Sequence, residues 1–101
     1  MAYRLKFSGR AAREVGEAYD WYEAQSEGLG SEFELPFELQ LKRLEQVPLL
    51  YTEVLPGVRR TLLPRFPYGV FFVVRKELVH ILAVIHTARN PNRWPAKRAN
   101  S

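Results

Sequence analysis

From Tyr3 to Phe7 the chain alternates, with Arg4 and Lys6 set between Tyr3, Leu5 and Phe7. A period of two puts the two kinds of side chain on opposite faces, so the segment is predicted as a half-buried strand. The period then lengthens. Ala11, Val15, Ala18 and Tyr22 recur at helical spacing, widened by Ala12 and Tyr19, and Arg13, Glu17 and Asp20 occupy the other side. Ser8 stands at the N-cap position, and Gly28-Leu29-Gly30 reads as the helix end, where glycine accepts a left-handed conformation. Phe33, Phe37, Leu41 and Leu44 stripe a second helix. Ser31 with Glu34 three residues later forms a capping-box pattern. Pro36 kinks that first turn or marks a later start of the regular helix, and Pro48 marks the end. So short a glycine link makes the pair an antiparallel hairpin, with Leu41 and Leu44 expected to face the sheet across from Val15 and Ala18.

Beyond Pro48 the pattern is strand-like. Tyr51 to Leu55 reads as a short extended piece, Pro56-Gly57 as a turn, and Val58 to Leu63 as a strand. Two prolines stiffen Pro64-Arg65-Phe66-Pro67. Gly69 to Arg75 and Leu78 to His86 are strands joined at Lys76-Glu77, with apolar residues at both parities, as expected where both faces are covered. Asn90-Pro91-Asn92 breaks the sheet. The expected class is α+β, in the order β-α-α-β-β-β with the option of a fourth late strand. A helical hairpin packs on one face of a mostly antiparallel sheet.

A length of 101 residues fits one domain over 1–101, with residues 95–101 as a basic mobile tail. Cysteine is absent, which excludes disulfides and thiolate metal sites, and two histidines are too few for a histidine-rich zinc site. No cofactor and no metal are expected. The N-terminal residues lack the apolar run of a signal peptide, and no segment approaches a membrane span, so a cytoplasmic protein is expected. Charge changes the picture more. Residues 1–45 carry six basic and nine acidic side chains, a balance of −3, and residues 46–101 carry nine and two, a balance of +7. Either a solvated basic face or an anionic partner for the second half, nucleic acid or an acidic protein segment, accounts for this.

An ordered set of short motifs runs along nearly the whole chain, over about residues 3–98. It comprises Ala18-Tyr19-Asp20-Trp21-Tyr22, Leu29-Gly30 before Phe33, Val47-Pro48, Val58-Arg59-Arg60, Phe66-Pro67-Tyr68-Gly69-Val70, Ile81 to His86, Arg89-Asn90-Pro91 and Trp94. With these motifs the chain resembles the RelE/ParE superfamily of toxins from type II toxin–antitoxin modules, closest to the ParE-like, plasmid-stabilisation branch. The resemblance implies a cytosolic toxin neutralised by a cognate antitoxin, in complexes that bind their own promoter DNA. Two targets divide the superfamily. RelE-like members cut messenger RNA in the ribosome without metal, and ParE-like members poison DNA gyrase. A third reading, a non-toxic basic nucleic-acid-binding module, fits the charge alone.

Metal-free RNA cleavage needs a base, an acid and cations around the phosphate. His86 is the imidazole placed for proton transfer, with Arg60 and Arg65 for phosphate. Arg59 and Arg89 are further cations for an anionic target, and Tyr68 or Trp94 could stack on a base. Each has a plainer role. His86 can hydrogen-bond in the following loop, Tyr68 can anchor its turn, and Trp94 can cover a core edge. Trp21 and Tyr22 read as helix-to-sheet packing and helix-surface aromatics, and His80 as a strand-surface or packing residue. Arg59 and Arg60 alternate on one strand and cannot serve one site. RelE-like nucleases place a lysine pair after the second helix and a tyrosine after the last strand. Here residues 49–56 hold no lysine, and Thr87 follows His86. Both departures favour DNA gyrase as target, or a divergent nuclease.

Overall fold

The computed structural model describes residues 2–88. Strand β1 (Arg4–Phe7) leads into helices α1 (Gly9–Gln25) and α2 (Leu29–Gln46). A 3₁₀ turn at Pro48–Leu50 follows, then β2 (Glu53–Leu55), β3 (Val58–Leu62), β4 (Tyr68–Arg75) and β5 (Leu78–His86). The five strands form one sheet in the order β1-β5-β4-β3-β2. Only β1 runs parallel to its neighbour, β5. The other pairings are antiparallel. The α+β class and the two-layer arrangement are as expected, with four strands after the hairpin. Among the described residues no helix is long and apolar enough to cross a membrane.

Ser8 caps α1 as expected. Its Oγ accepts the Ala11 N–H at 2.9 Å. The same side chain donates to the Leu82 carbonyl at 2.9 Å, so the cap also ties α1 to β5. Three local expectations are corrected. First, α1 ends at Gln25, three residues before Gly28, with the Ser26 N–H donating to the Tyr22 carbonyl. Second, Ser31 is not the cap of α2. Gly28, at φ 88°, is the N-cap and has no side chain to offer. Instead the Glu23 carboxylate, reaching over from α1, accepts the Gly28 N–H at 3.0 Å and the Gly30 N–H at 2.9 Å. Two donors that α2 cannot satisfy internally are thereby paired, and Pro36 lies well inside the helix. Third, the chain is not strand-like directly after Pro48: Pro48–Leu50 make a 3₁₀ turn, and the expected extended piece within Tyr51 to Leu55 follows it as β2.

The helices bury their stripes on one face of the sheet. Phe33, Leu44, Val70, Phe72, Val79 and Ile81 are fully enclosed. Phe33 stacks on Tyr22 at 5.6 Å and meets Phe66 edge-on at 5.6 Å. Such ring pairs add about 0.5–1.5 kcal/mol each beyond area burial. Tyr22 is therefore the packing aromatic of its pair, and Trp21 is largely exposed. One polar node lies at the other end of the layer. Gln40 Nε2 donates to the buried Thr61 hydroxyl at 2.6 Å and to the Tyr51 hydroxyl at 2.8 Å. That hydroxyl also accepts from Arg43 Nε at 3.2 Å, a hydrogen bond that raises the already high guanidinium pKa. A second small cluster, Phe71, Ala83 and Ile85 with Val54 and Val58, lies apart from this main core.

Candidate target interface

The described residues among those singled out from sequence do not all gather in one place. Arg59 is committed to the fold. Its Nη1 donates to the Tyr51 carbonyl at 2.6 Å and the Leu49 carbonyl at 3.3 Å, and its Nη2 lies 3.4 Å from Glu53 Oε2. Arg60, the next residue, is exposed; its backbone N–H donates to the Thr52 carbonyl at 3.1 Å, but its side chain makes no hydrogen bond or ion pair among the described residues. Arg65 lies in the β3–β4 loop at φ 72°, a conformation uncommon for a bulky residue. Its guanidinium is 3.4 Å from Glu32 on α2 and 5.5 Å from the centre of the Phe66 ring.

Tyr68 and His86 are register partners on β4 and β5, their rings edge-to-face at 5.0 Å. Tyr68 is only 4% exposed and packs on Phe33, so its ring is not presented to a base. His86 Nδ1 accepts the Ala88 N–H at 3.1 Å. Thr87 closes the same corner, donating from its N–H to the Pro67 carbonyl at 2.7 Å. Arg89 and Trp94, and the tail at 95–101, lie outside the described residues.

Strand pairing brings together a different set. Residues opposite one another on neighbouring strands project to the same side of a sheet. Val79 and Ile81 are buried in the main core, so His80 between them points away from the helices. Lys6 is its partner on β1. Arg4 and Arg75 are both register partners of Leu78 and join that side. Arg60 is the partner of Phe71. Its Cδ and the Phe71 ring lie over Gly69, where an added Cβ would come 3.5 Å and 3.2 Å from them. The Phe71 contact would be tight and the Arg60 contact an ordinary one. Arg4, Lys6, Arg60 and Arg75 are all exposed, and β1, β3, β4 and β5 contain no aspartate or glutamate.

The charges thus separate by layer. From Gly9 to Gln46 there are four basic and nine acidic residues, a balance of −5. The remaining described residues hold seven basic and two acidic, a balance of +5. Four exposed cations without a carboxylate among them can hold a polyanion or an acidic segment, with an affinity that falls as salt rises. Sequence reading passed over Arg4, Lys6 and Arg75. The signal was present in the alternation of Tyr3 to Phe7, which places both basic residues on one face. What it lacked was the parallel pairing that sets that face beside β5.

Comparison with known proteins agrees with the fold. The family model described as the ParE toxin of the type II toxin–antitoxin system, parDE, matches residues 5–91. A solved structure, the chromosomal ParDE TA system from P. aeruginosa, superposes with a TM-score of 0.75 at 26% identity. The match covers 84% of this chain and 96% of that one. No curated protein matches.

Proposed function

The chain belongs to the ParE toxins of type II toxin–antitoxin systems, and from that premise we propose that it arrests growth by binding DNA gyrase in the cytoplasm. We further propose that a cognate antitoxin neutralises it by laying carboxylates against the Arg4, Lys6, Arg60 and Arg75 face, and that the pair binds its own promoter DNA through the antitoxin. The observation that carries the choice of target is the dispersal of the groups RNA cleavage would need. His86 is bonded to the following loop, Arg60 projects from the basic face, and Arg65 lies in the β3–β4 loop beside Glu32 of α2. Arg59 is spent on the 3₁₀ turn. Among the described residues a positioned acid and base with a phosphate clamp do not converge, whereas an anionic partner needs only the charged face.

The test pairs gyrase supercoiling and DNA-cleavage assays with ribosome-programmed messenger cleavage, using wild type and His86→Gln. Inhibition of gyrase by both proteins, with messenger left intact, is expected. Messenger cut by wild type and cut about 10²–10⁴ times more slowly by His86→Gln would overturn the gyrase reading. Co-expression with the neighbouring open reading frame should restore growth.

A further inference from the structure

Helix α2 carries two apolar seams on nearly opposite sides. Phe33, Phe37 and Leu44 are buried against the sheet, while Leu35 and Leu39 are 61% and 54% exposed. Single exposed leucines are ordinary. These two belong to a row, Glu32, Leu35, Leu39, Lys42 and Gln46, in which every member is exposed. The steps along the row alternate three and four residues, the spacing of a seam between two packed helices.

The row is also self-complementary. Reversed about Phe37, Leu35 exchanges with Leu39 and Glu32 exchanges with Lys42. An antiparallel copy therefore meets leucine with leucine and carboxylate with ammonium, at both ends at once. A parallel copy would set Glu32 on Glu32 and Lys42 on Lys42. Lys42 makes no ion pair among the described residues. Glu32 pairs with Arg65 at 3.4 Å, but both side chains are more than half exposed, so this contact is weak and easily shared. A shallow hollow lined by Leu39, Lys42, Arg43, Gln46 and Val47 lies along the C-terminal half of this row, opposite the start of α2 in the other copy, with Leu35 of that copy at its Leu39 edge.

We propose that this outer seam of α2 is a self-association surface, on which a second copy of the chain packs antiparallel about a two-fold axis. Such an interface closes at two copies, because the same patch is used on both. It is narrow, below about 1,200 Å² in total, and so the dimer is weak and concentration-dependent. Its location on the helical layer leaves the basic face of the sheet unobstructed.

Sedimentation equilibrium of the full chain tests this. A monomer–dimer equilibrium is expected for wild type. Leu35→Glu should be monomeric at every loading, with a far-UV spectrum and melting temperature close to wild type, since the side chain is 61% exposed. Lys42→Glu should weaken association, and adding Glu32→Lys to the same chain should restore it, a rescue that only an antiparallel second copy explains. A wild type that is monomeric at every loading overturns the proposal. So does a double exchange that stays monomeric. A monomeric wild type whose capture of antitoxin is lost in Leu35→Glu would also overturn it, giving the seam to the antitoxin instead.

Discussion

Glu14 Oε1 on α1 accepts the backbone N–H of Val84 on β5 at 2.7 Å. The contact exists because β1 stops early. Its last register pair is Phe7 with Ile81, so among the described residues β5 continues without a neighbouring strand on that side. Ser8 takes over first, donating its N–H to the Ile81 carbonyl and its hydroxyl to Leu82. Glu14 then satisfies the Val84 donor and is itself held by Arg10 at 3.0 Å. A strand edge that would otherwise invite pairing is closed by side chains from the adjoining helix.

Removing that carboxylate should be costly. Glu14→Ala leaves a part-buried amide without a partner, a loss of about 1–3 kcal/mol. A urea titration should show a lower midpoint with an unchanged slope, and amide exchange at Val84 should accelerate more than at Val70. Glu14→Gln keeps an acceptor oxygen and should lose less than Glu14→Ala. Equal midpoints for wild type and Glu14→Ala would show that water replaces the carboxylate.

A similar long reach governs the hairpin. Glu23→Ala removes the acceptor for both Gly28 and Gly30 N–H groups at the start of α2. The expected cost is about 0.5–2 kcal/mol, the range for loss of a helix cap. Ser31→Ala should cost much less, since Ser31 is within the helix and caps nothing. Thermal melts of the two variants, read side by side, check the ranking.

Core substitutions grade the buried stripe. Leu44 is wholly enclosed, and Leu44→Ala should cost about 2–5 kcal/mol by cavity formation. Leu41 is only partly buried against the same cluster, so Leu41→Ala should fall below Leu44→Ala. Denaturant midpoints in that order support the packing, and the reverse order would place the wrong face of α2 on the sheet.

These cases show which features sequence made legible. Several local determinants were read correctly, although the end of α1 at Gln25 was not. Ser8 caps the turn that follows it, Phe33 to Leu44 share a helical face, and β4 and β5 flank a two-residue turn. Non-local determinants were invisible. Ser31 and Glu34 match a capping box, but the carboxylate that serves the helix comes from Glu23 on its neighbour. The parity of Arg59 and Arg60 predicted opposite faces, yet only the 3₁₀ turn at Pro48–Leu50 decides which one is consumed by structure. Tyr68 was weighed as a stacking platform because its aromatic neighbours Tyr22 and Phe33 are distant in sequence. The basic face was missed for the same reason, since Arg4 and Arg75 meet only through pairing across the whole length of the chain.

That split between adjacent arginines gives the sharpest separation of folding from binding. Arg59→Ala frees two carbonyls and one carboxylate around the 3₁₀ turn, with a cost of about 1–3 kcal/mol for groups left without partners. Arg60→Ala removes an exposed cation that pairs with nothing described, so the melting temperature should move by no more than surface substitutions usually do, within about 0.5 kcal/mol. Binding should respond the other way. Titration of purified antitoxin against Arg60→Ala at low and at moderate salt should show weaker association than wild type, with a shallower salt dependence, because one cation has left the face. Arg60→Lys should retain the salt dependence, since it keeps the charge. A variant that melts as wild type and binds antitoxin as wild type at both salt concentrations would remove Arg60 from the interface and leave Arg4, Lys6 and Arg75 to carry it.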